Sequence, residues 1–405
     1  MANVLDVLKE RGFVEQVSDE EGLYRALEQP ITFYIGYDPS ASSFHCGNLL
    51  TIMAAAHMQR HGHHPILIVG GGTGMIGDPS GKTEMRQLLD EDQIASNLAD
   101  LREQLARFID MDRALMLNNA DWLLDLRYIP FLRDIGRHFS VNRMLAAEAY
   151  RSRMETGLSF LEFNYQLLQA YDFLHLYREY GCTLQMGGND QWGNILAGVD
   201  LVRRIEDTQV YGLTFPLLTT ASGAKMGKTA AGAMWLDADL LAPYDFYQYW
   251  VNTHDDDVER FLRIYTFLPL EEIRELAQLE GAEIRRAKAR LAFEVTRMVH
   301  GEQAAAEARD ASDALFAQGD AADAVPTTSV DAADLSEGIP VTVLFEQVGL
   351  TDSRSAARRL IQQGGAYVND ERVTSVDALV TAAHLCEGEI LLRAGKKRYR
   401  RVTTE

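Results

Sequence analysis

Apolar positions along the first half of the chain fall into two alternating patterns. Short, dense apolar runs, ITFYIGY (31 to 37), HPILIVG (64 to 70), RALMLN (113 to 118) and CTLQM (182 to 186), are separated by segments long enough for amphipathic helices. Strands alternating with helices in this way predict a parallel α/β sheet. Ser18 with Glu21, and Ser159 with Glu162, have the spacing of reciprocal helix caps, which predicts helix starts near 19 and 160. After Pro243 the strand signal fades. Apolar residues then recur every three or four positions through FYQYWVN, VERFLRIYTFL, EEIRELAQL and RLAFEVTRMVH, the mark of a helical region. From Ala317 to Gly338 Ala, Asp, Ser and Thr take over without an apolar period, the composition of a linker. Beyond it the pattern predicts a helix (SRSAARRLIQQG), a hairpin turning at Asn369 and Asp370, and two strands, EILLR and RYRRV.

A length of 405 residues implies two or three domains, and 47% hydrophobic with 24% charged residues excludes a disordered, collagen-like or coiled-coil chain. No run approaches the ~18 apolar residues of a membrane span, and the start, MANVLDVLKERG, has neither a basic nor an apolar leader region, so a cytoplasmic protein without membrane contact is expected. Cys46, Cys182 and Cys386 are far apart and unpaired in spacing, which argues against disulfides and cysteine zinc sites. The net charge of -20 disfavours nucleic acid as a partner, but the charge is uneven. From Pro340 onward the chain carries ten Lys and Arg against eight Asp and Glu, while everything before it has a net charge of -22. Arg393, Lys396, Lys397, Arg398, Arg400 and Arg401 cluster with no acid among them, and read either as an RNA-facing patch or as a strand edge defended by cations.

Two glycine motifs invite a phosphate-loop reading. Residues 72 to 77 match G-x-G-x-x-G after a strand, but Asp78-Pro79-Ser80-Gly81 follows at once and keeps the chain in a turn, with an anion where a pyrophosphate would sit. Residues 77 to 83 approach a Walker loop but have one residue too few between the glycines. His57, His61, His63 and His64 lie around a helix end with no carboxylate beside them, so no metal site is expected there. Two other segments fit phosphate chemistry better. His45-Cys46-Gly47-Asn48 sits between the first strand and a long helix, at the positive helix end. Lys225-Met226-Gly227-Lys228-Thr229 offers two ammonium groups, three residues apart, in a loop expected to be mobile, as a departing pyrophosphate requires.

These two segments resemble the H-I-G-H and K-M-S-K-S signatures of the class I aminoacyl-tRNA synthetases. With GYDPSASSFHCGN, GGTGMIGDPSGK, FNYQLLQAYDF and QMGGNDQWGN, in this order and spacing, the whole chain resembles the tyrosyl branch of that family as found in bacteria. The resemblance implies a doubly wound, Rossmann-like parallel sheet that binds tyrosine and ATP (1–218). It further implies the mobile loop and a helical anticodon-binding domain (219–316), a linker (317–338), and a small α+β RNA-binding domain (339–405). Implied partners are L-tyrosine, ATP with Mg2+ carried by the nucleotide, the tRNA for tyrosine and a second copy in a homodimer, with no tightly bound cofactor. The implied reaction is attack of the tyrosine carboxylate on the α-phosphorus, followed by transfer to the tRNA 3′ end. A tryptophanyl-type synthetase and a catalytically silent RNA-binding protein on the same scaffold are the alternatives.

Residue by residue, the resemblance gives Tyr34 and Asp172 to the substrate phenol, and Tyr165, Gln169 and Asp78 to its ammonium, with Gln191 facing the carboxylate. Gly36, Asp38, Ser40, His45, Gly47, Asn48, Thr51, Gly188, Asp190 and Lys228 fall to ATP. His45, Asn48, Lys82, Arg86, Lys225 and Lys228 are the expected catalytic residues. Tyr165, Gln169 and Asp172 stand at i, i+4 and i+7, one polar stripe that by itself could equally be a solvated face. A pocket that hydrogen-bonds a hydroxyl at one end rejects the analogue lacking it, a rule for which tyrosine-specific ligases are themselves the standard illustration. Asn48 stands for the second signature histidine, Ser40 for a threonine and Ile35 for a cysteine found in some relatives. Gly227 stands for serine and is expected to loosen the loop.

Overall fold

The computed structural model describes residues 3–39, 41–78, 80, 91–146, 150–151, 154, 157–221, 223, 226–229, 232–317, 326–369, 371–386, 388–395 and 398–404. A six-stranded sheet has the order β1-β6-β5-β2-β3-β4, with β1 Gln16–Val17, β2 Thr32–Tyr37, β3 His64–Val69, β4 Leu115–Asn118, β5 Cys182–Gly188 and β6 Tyr211–Phe215. All pairs but β1–β6 are parallel. The sheet is wound outward in both directions from β2, so the strand order switches between β2 and β5 and a crevice opens at their carboxyl ends. The four apolar runs form β2 to β5. β6 and the two-residue edge strand β1 escape the pattern. Near 19 the helix cap is Asp19, whose side chain accepts from the Gly22 amide, while Ser18 exchanges hydrogen bonds with Gly212 at the sheet edge. The predicted reciprocal cap at Ser159 and Glu162 is present and starts the Phe160–Tyr180 helix.

The helices Pro243–Val251, Val258–Tyr265, Leu270–Ala277, Ile284–His300 and Glu302–Ala317 follow. Their apolar faces join the core beneath the Cys46–Arg60 helix in one continuous cluster that also takes in Met226. Arg11, buried at the end of the Val4–Arg11 helix, donates to the carbonyls of Arg263, Thr266 and Leu268, which satisfies a helix C-terminus across the two regions. The loop signature forms a two-stranded ribbon of β7 Lys228–Thr229 and β8 Gly232–Ala233. His57 is held between the rings of Phe13 and Phe267, and burial lowers its pKa to about 3, so it is a neutral core residue.

The C-terminal region has its own hydrophobic core. Within the stretch expected to be a linker, β9 Thr327–Val330 pairs in parallel with β15 Arg398–Thr404, and the Ala332–Glu337 helix buries Leu335. Its strand signal is weak because TTSV presents only one buried apolar side chain, that of Val330. A pair, β10 Ile339–Pro340 with β13 Leu379–Val380, flanks the main sheet of β12 Glu371–Arg372, β11 Ala366–Val368, β14 Glu389–Ala394, β15 and β9. The predicted hairpin is β11–β12, with Asn369 in the left-handed region at its turn.

Candidate active site

At the crevice, Tyr34 projects from β2 and Asp172 from the Phe160–Tyr180 helix, each 3% exposed. The Tyr34 ring meets Phe173 edge-on at 5.4 Å. Burial, with the Asp172 charge close by, pushes its phenol well above its ordinary pKa. Its hydroxyl has no partner among the described residues, nor does the buried Gln185 Oε1 on β5. Both Asp172 oxygens already accept: Oδ1 from Trp122 Nε1 at 2.7 Å and Oδ2 from Asn119 Nδ2 at 3.0 Å. Asn119 cannot be turned over, since its Oδ1 accepts from the Gly72 amide at 2.8 Å. Burial raises the Asp172 pKa to about 7, against the two donors that lower it. Sequence reasoning missed Asn119 and Trp122. Their position just past β4, at the carboxyl end of a parallel strand, is the signal that could have found them.

The bond between Asn119 and Gly72 also disposes of the dinucleotide motif. The amides of Gly72 and Thr73 at the start of the short Gly71–Gly74 helix are both turned to Asn119, where a pyrophosphate would need them. The glycines there make room instead, since a Cβ on Gly71 would meet Asn118 Oδ1 at 2.1 Å.

A second cluster forms around Asp78. Its carboxylate accepts from the Ser80 amide at 2.9 Å and from Gln191 Nε2 at 2.6 Å, and burial raises its pKa to about 6. Asn194, another residue missed in the sequence, donates to Gln169, Gln191 and Ser80 at 3.2 to 3.3 Å and ties this cluster together. Tyr165 is buried on the same helix as Gln169 and Asp172, so the stripe faces inward rather than to solvent.

A cavity of about 1060 Å³ adjoins these groups and is lined by His45, Gly47, Asn48, Thr51, Gly188, Asp190 and Asn194, with Gln16, Tyr150 and Met226. Tyr34, Asp78 and Asp172 do not line it. His45 caps the Cys46–Arg60 helix: its Nδ1 accepts from the Gly47 amide at 3.0 Å while Asn48 Oδ1 accepts from the His45 amide at 3.1 Å. Thr51 donates to the Asn48 carbonyl at 2.8 Å. Gly36 is exposed at the end of β2, and Asp190 is exposed after β5, against Gly188. Asp38 follows β2 and acts electrostatically on Asp78. Ser40, Lys82, Arg86, Lys225, Lys396 and Lys397 lie outside the described residues, as does the Lys228 side chain.

Gly227 is not a loosening element. Its φ is +84°, and a Cβ there would come within 2.5 Å of the Gly47 nitrogen, so glycine lets the loop backbone lie directly on the His45–Asn48 turn. In the tail, Arg398 is exposed and Arg393 lies 3.7 Å over the Tyr367 ring. Arg401 is only 7% exposed and pairs with Glu389, and Arg400 pairs with Asp245 at 2.8 Å. Both are paired within the protein, Arg400 with an acid 155 residues away and Arg401 with one on the neighbouring strand β14.

The family model for tRNA synthetases class I (W and Y) matches residues 26–317, and that for the tyrosine–tRNA ligase SYY-like C-terminal domain matches 317–402. The tyrosine–tRNA ligase of Desulfosudis oleivorans is 57% identical over 98% of each chain, and that of Clostridium botulinum (strain 657 / Type Ba4) is 54% identical over the full length of both. Among solved structures, a C-terminally truncated Aspergillus nidulans mitochondrial tyrosyl-tRNA synthetase is 32% identical at TM-score 0.70, covering 78% of this chain and 95% of its own. An Encephalitozoon cuniculi tryptophanyl-tRNA synthetase shares the fold at TM-score 0.56 and 14% identity, over 75% of this chain and 87% of that one.

Proposed function

From the chain's membership of the class I tRNA synthetases (W and Y), on their tyrosine–tRNA ligase branch, we infer how its own residues perform the reaction. L-Tyrosine is activated by ATP to tyrosyl-AMP and pyrophosphate, then transferred to the 3′ end of its tRNA. Specificity rests on Tyr34 and Asp172: the buried carboxylate, held by Trp122 and Asn119, accepts a hydrogen bond from the phenol hydroxyl, and the Tyr34 hydroxyl donates to the phenol oxygen. Phenylalanine would leave both groups buried without that partner, at a cost of about 1–3 kcal/mol for each unpaired group. The ammonium sits against Asp78, Tyr165 and Gln169, with Gln191 turned to the carboxylate. The single observation that carries this assignment is the hydrogen-bond set on Asp172, which fixes a buried anion beside the unpartnered Tyr34 phenol.

ATP lies over the carboxyl ends of β2 and β5, its ribose near Gly36, Asn48, Thr51, Gly188 and Asp190, and its phosphates over His45, Gly47, Asp38 and Ser40. Catalysis is positioning and charge stabilisation, with no protein nucleophile. Asn48 and His45 hold the helix end, and Lys82, Arg86, Lys225 and Lys228 meet the departing pyrophosphate. Mg2+ enters with the nucleotide, whose phosphate charge it neutralises; the described residues contain no group of three or more His, Cys, Asp or Glu suited to hold a metal ion. The helical domain contacts the anticodon, and the tail contacts tRNA through Arg393, Lys396, Lys397 and Arg398. Leu124, Tyr128, Ile129, Val141, Met154 and Phe160 are each more than half exposed, an apolar surface that a second copy of the chain covers in a homodimer. No helix of the described residues is long and apolar enough to cross a membrane, in keeping with a cytoplasmic site of action. Tyrosine-dependent exchange of labelled pyrophosphate into ATP is the test. Exchange driven equally by tryptophan or phenylalanine would overturn the assignment of Tyr34 and Asp172.

A further inference from the structure

The signature loop is tied to the helical domain by one side chain. Tyr249, half-buried near the end of the Pro243–Val251 helix, donates its hydroxyl to Met226 Sδ at 3.1 Å. Met226 and Gly227 lie between Lys225 and Lys228, so a single hydroxyl holds the centre of the cationic segment. The segment is seated on both sides. Above it, the closest approaches are Gly227 to the Gly47 nitrogen and Met226 O to Gly47, where added Cβ atoms would stand at 2.5 and 3.0 Å. Laterally, the Met226 amide donates to the Leu218 carbonyl and the Met234 amide to the Gly227 carbonyl, both at 3.0 Å, while the Cys46 amide donates to the Met234 carbonyl at 2.8 Å. The docked loop is thus one layer in a stack that runs from the helix start at His45, through Gly227 and Met226, to Tyr249.

We propose that Tyr249 is a positioning residue for amino-acid activation: its hydroxyl, bonded to Met226 Sδ, holds the Met226–Gly227 segment in the docked arrangement over His45–Asn48, and with it the loop that carries the signature lysines. This rests on the reading of the loop given under the proposed function. The residue belongs to the helical domain, so the same hydroxyl couples that domain's placement to the geometry of the loop. The Pro243–Val251 helix also carries Asp245, the partner of Arg400 in the C-terminal region, which makes it the element shared by all three parts of the chain. Binding of tyrosine does not involve this stack, since Asp78 and Asp172 hydrogen-bond elsewhere and Tyr34 packs against Phe173.

The test is Tyr249→Phe, which removes the hydroxyl and keeps the ring packing. Single-turnover formation of tyrosyl-AMP by the full chain should slow about 2- to 12-fold, the range spanned by one net hydrogen bond. The dissociation constant for tyrosine and the melting temperature should stay at the parent values. A merely structural role would move those two quantities and leave the rate per folded molecule alone. Combining the change with Lys228→Ala provides the second readout. If Tyr249 acts through the loop, the double variant is no slower than Lys228→Ala by itself. Tyr249→Phe with an unchanged activation rate, or effects of the two substitutions that multiply, would overturn the proposal while leaving the loop's role intact. Lys228→Ala with parental activity would remove the loop from the reaction and the proposal with it.

Discussion

Replacing Asp172 by asparagine isolates what the pocket reads. The shape is kept, but the donor and acceptor pattern is not. In the protein both carboxylate oxygens accept, from Trp122 at 2.7 Å and from Asn119 at 3.0 Å, and Asn119 is held in orientation by Gly72. An asparagine has one acceptor, so in either orientation its NH2 group faces a donor and leaves it buried and unpaired, at about 1–3 kcal/mol. The charge-assisted bond to the substrate phenol is lost as well, worth about 1.5–3 kcal/mol. That second figure alone lowers kcat/KM for tyrosine by roughly 10- to 160-fold, while phenylalanine, which never made the bond, is spared. The assay is pyrophosphate exchange with each amino acid at pH 8, above the Asp172 pKa of about 7, with a thermal melt to confirm folding. A folded variant whose tyrosine-to-phenylalanine ratio stays within about twofold of the parent would refute the reasoning, since even one weak charged hydrogen bond exceeds that.

Other outcomes follow from the same structure. The KM for tyrosine should rise as pH falls through about 7 and again near about 6, as Asp172 and then Asp78 take up protons and stop serving as anionic acceptors; a KM flat between pH 8 and 5.5 contradicts this. Because the Asp172 pKa is raised by folding, its contribution to stability is complete below the unfolded value near 4 and is lost as pH rises through about 7, so Asp172→Asn should flatten the fall in melting temperature of the ligand-free protein over that window. Ending the chain at Ala317 removes β9 together with the rest of the C-terminal sheet; pyrophosphate exchange should persist, while tRNA charging weakens and loses part of its salt dependence, and undiminished charging would make the tail structural. Ile129→Asp with Phe160→Asp should shift the sedimenting species from dimer to monomer, and an unchanged dimer would place the interface elsewhere.

Sequence legibility tracked how local the determining forces are. β2, β3 and β5 carry dense apolar runs because a parallel sheet buries both faces, and Ser159 with Glu162 close a cap within four residues, so both could be seen in the sequence. Ser18 had the same spacing but lost its cap to Asp19 because β6 recruits it at the sheet edge, 194 residues away in the chain. The basic cluster of the tail was legible as charge but not as partnership: Asp245 lies 155 residues from Arg400. The polar stripe of Tyr165, Gln169 and Asp172 was visible as a helical period, and only the fold shows it turned inward. Asn119, Trp122 and Asn194 were missed because each looks like an ordinary polar or aromatic residue until β4 and the Trp192–Glu206 helix bring it to a buried carboxylate or amide. Gly227 misled for a related reason, since its freedom from a Cβ serves close packing rather than motion.

The account stands on a buried anion and a lone phenol reading the hydroxyl of a free amino acid. Equilibrium binding of tyrosine and of phenylalanine to the full-length protein, without ATP or tRNA, tests it most directly. Tyrosine should bind more tightly by at least about tenfold, the floor set by one charged hydrogen bond, and equal dissociation constants would contradict the assignment of Tyr34 and Asp172.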